Sequence, residues 1–130
     1  MNQVLQPAGW EKPRGYSNGV VASGRQIFVA GQIGWNAACQ FDSEDLVDQV
    51  RQALANVRAV LAEAGASGEH ITRMTWYVTD RADYLARGRD IGRVYRELIG
   101  SYAVAMTAVE VKSLMEPRAK VEIEVTAVLP

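Results

Sequence analysis

The sequence predicts one α+β domain over residues 1–130, a two-layer sandwich with two helices on one face of a mixed sheet. Three observations carry this. Residues Thr107–Val111 and Lys120–Val128 alternate apolar and polar side chains, the pattern of strands with one dry face. Leu46, Val50, Leu54, Val57, Val60 and Leu61 recur at three- and four-residue spacing, the stripe of a helix lying on a sheet. Helical and strand patterns also interleave along the chain, in the order strand, strand, a short strand, helix, strand, helix, strand, strand.

Taken in order, residues 1–15 read as an extended lead-in that turns at Pro13-Arg14-Gly15. Val20 and Val21, then Ile27, Val29 and Ile33, mark strands over 17–22 and 26–33, and Ser23-Gly24 between them suits a tight hairpin turn. Gly31 and Gly34 bracket the end of the second strand, where a missing Cβ admits a bend, another backbone or a ligand. Asp42 or Ser43 can cap the first helix, Gln49 falls mostly off its stripe, and Gly65 ends it in the left-handed conformation. Strand 71–79 turns Met74, Trp76 and Val78 one way, and Arg73, Thr75, Tyr77 and Thr79 the other. The second helix runs over 81–99 with Tyr84, Leu85, Ile91, Val94, Tyr95 and Leu98 on its stripe, and Gly88 and Gly92 leave a bare strip open to close packing. Pro117 marks the connection between the last two strands.

Composition excludes several classes of function. With 14 Lys and Arg against 15 Asp and Glu, and no basic-aromatic stripe, no nucleic acid or anionic membrane is expected as partner. One cysteine and one histidine, Cys39 and His70, predict neither a metal centre nor a disulfide. Cys39 reads as a small buried loop residue. No apolar run reaches the length of a membrane span and no leader is evident, so a cytoplasmic protein is the expectation. A two-layer domain leaves the far face of its sheet semi-apolar, which predicts an oligomer. Glu110, Glu122 and Glu124 stand opposite the Val-Ile stripe of their strands; spacing alone does not choose among them as ion-pair residues or as a chemical carboxylate.

Several blocks together resemble a known family: Tyr16-Ser17-Asn18-Gly19-Val20, Phe28 to Gly34, Gln52 to Val57, Met74 to Asp80, Val109-Glu110-Val111 and Lys120 to Glu124. In order and spacing they are similar to the RidA/YjgF family of imine and enamine deaminases, also labelled L-PSP ribonucleases. The resemblance implies a chorismate-mutase-like fold, a homotrimer with its sheets in a central barrel, and small-molecule clefts between subunits. It implies hydrolysis of imines to keto acids and ammonia without metal or organic cofactor. Glu122 matches the glutamate that holds the attacking water, Tyr16 the cleft tyrosine and Gly31 the glycine that admits the ligand. The family's substrate-binding arginine falls on Met106, its serine on Ala30 and its asparagine on Gly92. A thioether cannot offer the charge-assisted fork that grips a carboxylate. The expectation is therefore either a deaminase acting on an imine other than a small 2-imino acid, or a trimeric binding module without turnover. Arg14 and Arg118 are the candidate replacement cations, and each reads more readily as an ordinary surface arginine.

Overall fold

The computed structural model describes residues 2–101 and 103–130. Its elements are β1 (Gln3–Leu5), β2 (Gly19–Val21), β3 (Arg25–Ile33), α1 (Leu46–Glu63), a 3-10 turn (Gly68–His70), β4 (Ile71–Val78), α2 (Arg81–Ala86), α3 (Gly88–Leu98), β5 (Ala105–Glu110) and β6 (Val121–Leu129). Strand order in the main sheet is β3-β6-β4-β5. The β3–β6 and β6–β4 pairs are antiparallel and β4–β5 is parallel, so the sheet is mixed. The outer strands are β3 and β5, and the outer edge of β5 is bridged only at its start, where Ser17 meets Ala105.

One face of the sheet meets α1 and α3. Met74, Trp76, Val78, Val121, Ile123 and Val125 bury against Val50, Leu54, Val57, Leu61, Ile91 and Val94, as the period-2 and helical patterns require. The other face is open and carries Arg73, Thr75, Tyr77, Thr107, Glu124, Thr126 and Phe28, the last 72% exposed.

Several expectations are overturned, each for a local reason. Ser23-Gly24 joins no hairpin: β2 pairs with β1, and β3 pairs with β6. Gly24 has φ +143°, and a Cβ there would stand 1.9 Å from the Leu129 carbonyl oxygen, so this glycine serves the approach of the C-terminal strand. Residues 34–45 form a loop without the extra short strand. The α1 cap is Asp45, whose side chain accepts from the Asp48 amide at 3.1 Å, while the Ser43 hydroxyl donates to Asp48. Gln49 is 1% exposed rather than off the stripe. Its Nε2 donates to the Ser43 and Arg118 carbonyls and its Oε1 accepts from the Lys120 amide, so a polar side chain is buried with its bonds made. It also explains Gly34, where a Cβ would meet Gln49 Cβ at 2.5 Å. Val60 is exposed.

The second helix is two. Arg87 closes α2 and opens α3, and its guanidinium bonds Asp45 at the start of α1. Leu85, on the short α2, is 61% exposed. The glycines make no packed strip: Gly88 has open space above it and Gly92 faces only Arg96. Cys39 is exposed, with φ +58°, in a loop that Asn36 ties by accepting from the Ala38 and Gln40 amides. Gly65 at φ +75° ends α1 as expected. No helix among the described residues is long and apolar enough to cross a membrane.

Candidate functional site

The first group of site residues sits at the β3 edge. Between Val29 and Gln32 the register with β6 slips, so Ala30 and Gly31 form a bulge at the sheet margin. Glu122, on β6 opposite Ile33, reaches back to this bulge: a Cβ on Gly31 would lie 2.0 Å from Glu122 Oε2. The glycine is thus the space the carboxylate occupies.

The three strand carboxylates separate by partner. Glu110 accepts from the Arg81 amide at 2.7 Å, at the start of α2. Glu124 accepts from the Tyr77 hydroxyl at 2.6 Å, and this bond holds the Tyr77 proton more firmly than in a free phenol. Glu122 is half-buried and has no hydrogen-bond or ion-pair partner among the described residues. Glu122 is therefore the one of the three whose carboxylate has both oxygens unspent among the described residues.

The second group sits at the β5 edge. Ser17 is buried, its amide donates to the Val104 carbonyl at 2.8 Å, and it bridges Ala105 in parallel; this fixes Tyr16 beside the start of β5. Tyr16 is 43% exposed and forms a wall shared by two cavities. One, of about 810 Å³, lies under the N-terminal loop with Trp10, Lys12 and Arg14. The other, of about 280 Å³, is walled by Tyr16, Tyr95 and Arg96, with Gly15, Gly100 and Ala103 around them. Burial pushes the Tyr95 hydroxyl up to about 12, so this ring stays neutral. Met106 is partly buried: it pairs in register with core-facing Met74 and packs against the core, whereas Thr107 turns to the open face. Of the two candidate replacement cations, Arg14 borders Tyr16, while Arg118 pairs with Glu44 and lies over the Phe41 ring.

The fold therefore gathers Ala30, Gly31 and Glu122 at one margin of the sheet, and Tyr16, Met106 and Gly92 at or near the other. Three strand spacings, about 14 Å, separate β3 from β5, and two, about 10 Å, separate Glu122 on β6 from β5. The two groups thus lie on different strands of one subunit, without direct contact between them. Sequence reasoning passes over Arg96, although its spacing of four from Gly92 puts both on one helix face.

Comparison with known proteins gives a consistent picture. The family model described as Endoribonuclease L-PSP matches residues 10–129. A RutC family protein of Aquifex aeolicus is 36% identical over 130 residues, covering 98% of this chain and 99% of its own. RutC family protein PH0854 of Pyrococcus horikoshii is 32% identical over 115 residues, 88% of each chain. Among solved structures, the Rid family protein YyfB of Yersinia pestis superposes with TM-score 0.84 at 34% identity, covering 98% of each chain. E. coli TdcF with bound serine superposes with TM-score 0.71 at 28% identity, covering 98% of this chain and 99% of that one.

Proposed function

We propose a function from one premise: the chain belongs to the Endoribonuclease L-PSP family, the Rid/YjgF proteins. It binds a small metabolite in clefts between copies of itself, as a homotrimer, and deaminates an imine or enamine other than a small 2-imino acid by hydrolysis. The observation that carries this is Glu122, an unpartnered carboxylate seated in the space left by Gly31.

Glu122 takes a proton from water as the oxygen adds to the C=N carbon and passes it to the imine nitrogen, giving a neutral carbinolamine. It then takes the carbinolamine hydroxyl proton and returns it to the amine as the C–N bond breaks, so that a carbonyl compound and ammonia leave and the carboxylate is restored. Ala30 and Gly31 let the ligand lie against the β3 backbone. We place Tyr16 and the β5 edge on the neighbouring copy, since β5 lies two strand spacings, about 10 Å, from β6, which carries Glu122. The open, semi-apolar face of the sheet supports the same assembly, because other copies would cover it. The serine held by TdcF supports an amino-acid-sized ligand. A second reading, a trimeric binding module without turnover, is favoured by Met106, which turns a thioether to the core where the family resemblance expects a cation.

The test is ammonia release from imines made in situ by amino-acid oxidases acting on alanine, leucine, methionine and phenylalanine. Wild type, Glu122→Gln and Met106→Arg are compared after light scattering confirms one oligomeric state. Turnover of bulky imines, loss in Glu122→Gln, and gain on the alanine-derived imine in Met106→Arg are expected. Inert wild type on every imine puts the binding module first.

A further inference from the structure

We infer that Arg96, on α3, is the cation that binds the ligand's carboxylate, and that it selects acids bearing an aromatic or similarly bulky apolar group. The inference rests on the cleft reading above and deepens it.

Four observations place the role on this residue. Met106 offers no charge and faces the core, so a carboxylate at the β5 edge needs its counter-charge from another element. Arg96 is exposed and forms no ion pair within 4 Å among the described residues, so its charge is available to a ligand. Its guanidinium lies back over Gly92, where a Cβ would meet Nη1 at 3.3 Å. Helical side chains lean toward the N-terminus, so residue 96 covers residue 92, and a side chain there would contest the same space. Finally, Arg96 lines the 280 Å³ cavity together with Tyr16 and Tyr95, and no carboxylate is in that lining.

A cation in the last turn of α3 also complements the helix dipole. That accounts for a positive charge at this end of the helix. It does not account for the bare Gly92 beneath it or for the cavity in front. Two phenol rings and one guanidinium make an amphiphilic wall: the fork takes the carboxylate in bidentate fashion, and the rings take apolar bulk. Arg96, Gly92 and Met106 thereby form one set of replacements. The counter-charge has moved from the strand to the helix, and the helix has been cleared to receive it.

The experiment is calorimetric binding of phenylpyruvate, pyruvate and the uncharged benzyl methyl ketone to the intact oligomer. Variants are Arg96→Gln, Arg96→Lys, Arg14→Gln, Gly92→Asn and, as a charge control remote from the cavity, Arg58→Gln. Loss of a charge-assisted fork predicts phenylpyruvate binding about 10- to 100-fold weaker in Arg96→Gln. Partial rescue is expected in Arg96→Lys, weakening in Gly92→Asn, and no change in Arg58→Gln or in ketone binding. Wild type should bind phenylpyruvate more tightly than pyruvate. Unchanged binding in Arg96→Gln, the same loss in Arg14→Gln instead, or equal affinity for ketone and keto acid would each overturn the inference. Glu122→Gln separates the two layers. Phenylpyruvate binding that survives in this variant while turnover is lost supports both. A wild type that releases ammonia from imines but binds no carboxylate refutes the role of Arg96 and leaves the deaminase reading intact. A wild type that binds acids through Arg96 without turnover refutes the deaminase reading alone.

Discussion

Gly31→Ala should nearly silence the protein while leaving it folded. The backbone at Gly31 is not in the left-handed region, so alanine brings no φ strain. What it brings is a methyl group 2.0 Å from Glu122 Oε2 and 2.8 Å from Glu122 Cδ. Non-bonded carbon and oxygen do not approach within about 3 Å, so the carboxylate must retreat by roughly 1 Å or more. Because the clash falls on the far end of a flexible side chain at a sheet edge, the fold cost should stay at about 1 kcal/mol, the low end for overpacking. A reacting group displaced by about 1 Å can cost about 100-fold in rate, equivalent to about 2.7 kcal/mol of barrier. The assay is ammonia release from whichever imine wild type turns over best, with thermal unfolding run in parallel. Expected are a kcat/KM down by about two orders of magnitude and a Tm lowered by about 3 to 6 °C. A fully active Gly31→Ala protein would refute the placement of the water on Glu122. A Tm lowered by about 15 °C would show that the glycine serves the fold instead.

Three further substitutions test the scaffold. Gln49→Leu should cost about 3 kcal/mol in urea unfolding, because it strands the Ser43 and Arg118 carbonyls and the Lys120 amide; a loss under about 1 kcal/mol would mean that those groups find other partners. Gly24→Ala should lose about 3 kcal/mol or more, since its Cβ would strike backbone at 1.9 Å and its φ of +143° disfavours any side chain; near-wild-type stability would contradict the close approach of Leu129. Asp45→Asn keeps a capping side chain but removes the charge beside Arg87. The Arg87 bond holds the Asp45 carboxyl below its ordinary value, so its contribution is present above the unfolded-chain pKa of about 3.9 and is lost as pH falls through the lower folded value. Wild type should therefore exceed Asp45→Asn in stability at neutral pH, with the gap closing in acid; a gap independent of pH would rule out the charge as its source.

Alternation and helical stripes were enough to read β3, β4, β6 and α1, because burial on one face imposes a period that composition cannot hide. Strand pairing was less legible. Ser23-Gly24 has hairpin chemistry, yet its glycine answers to the Leu129 carbonyl, a contact 105 positions away that no local pattern encodes. Gln49 looks like a surface residue until Ser43, Arg118 and Lys120 surround it. The break at Arg87 was hidden because α2 and α3 continue one apolar rhythm across it, while the bond to Asp45 is tertiary. For the site, the block pattern pointed to Glu122 and Gly31, whose meeting at the bulge needs the register slip to be seen. Arg96 was missed because an arginine in a helix's last turn has an ordinary dipole explanation. Only its place over Gly92 and in the cavity wall distinguishes it.

The proposed intersubunit cleft has a genetic consequence. With Glu122 and the β3 bulge supplied by one copy and Tyr16 and Arg96 by its neighbour, damage to either set leaves the other whole. Two inactive alleles, one carrying Glu122→Gln and one Arg96→Gln, should complement each other when their chains assemble together. In a random mixture of equal amounts, about one cleft in four draws both sound margins and works. Two alleles hitting the same margin should never complement, so crossing such alleles maps the halves of the cleft without a ligand in hand.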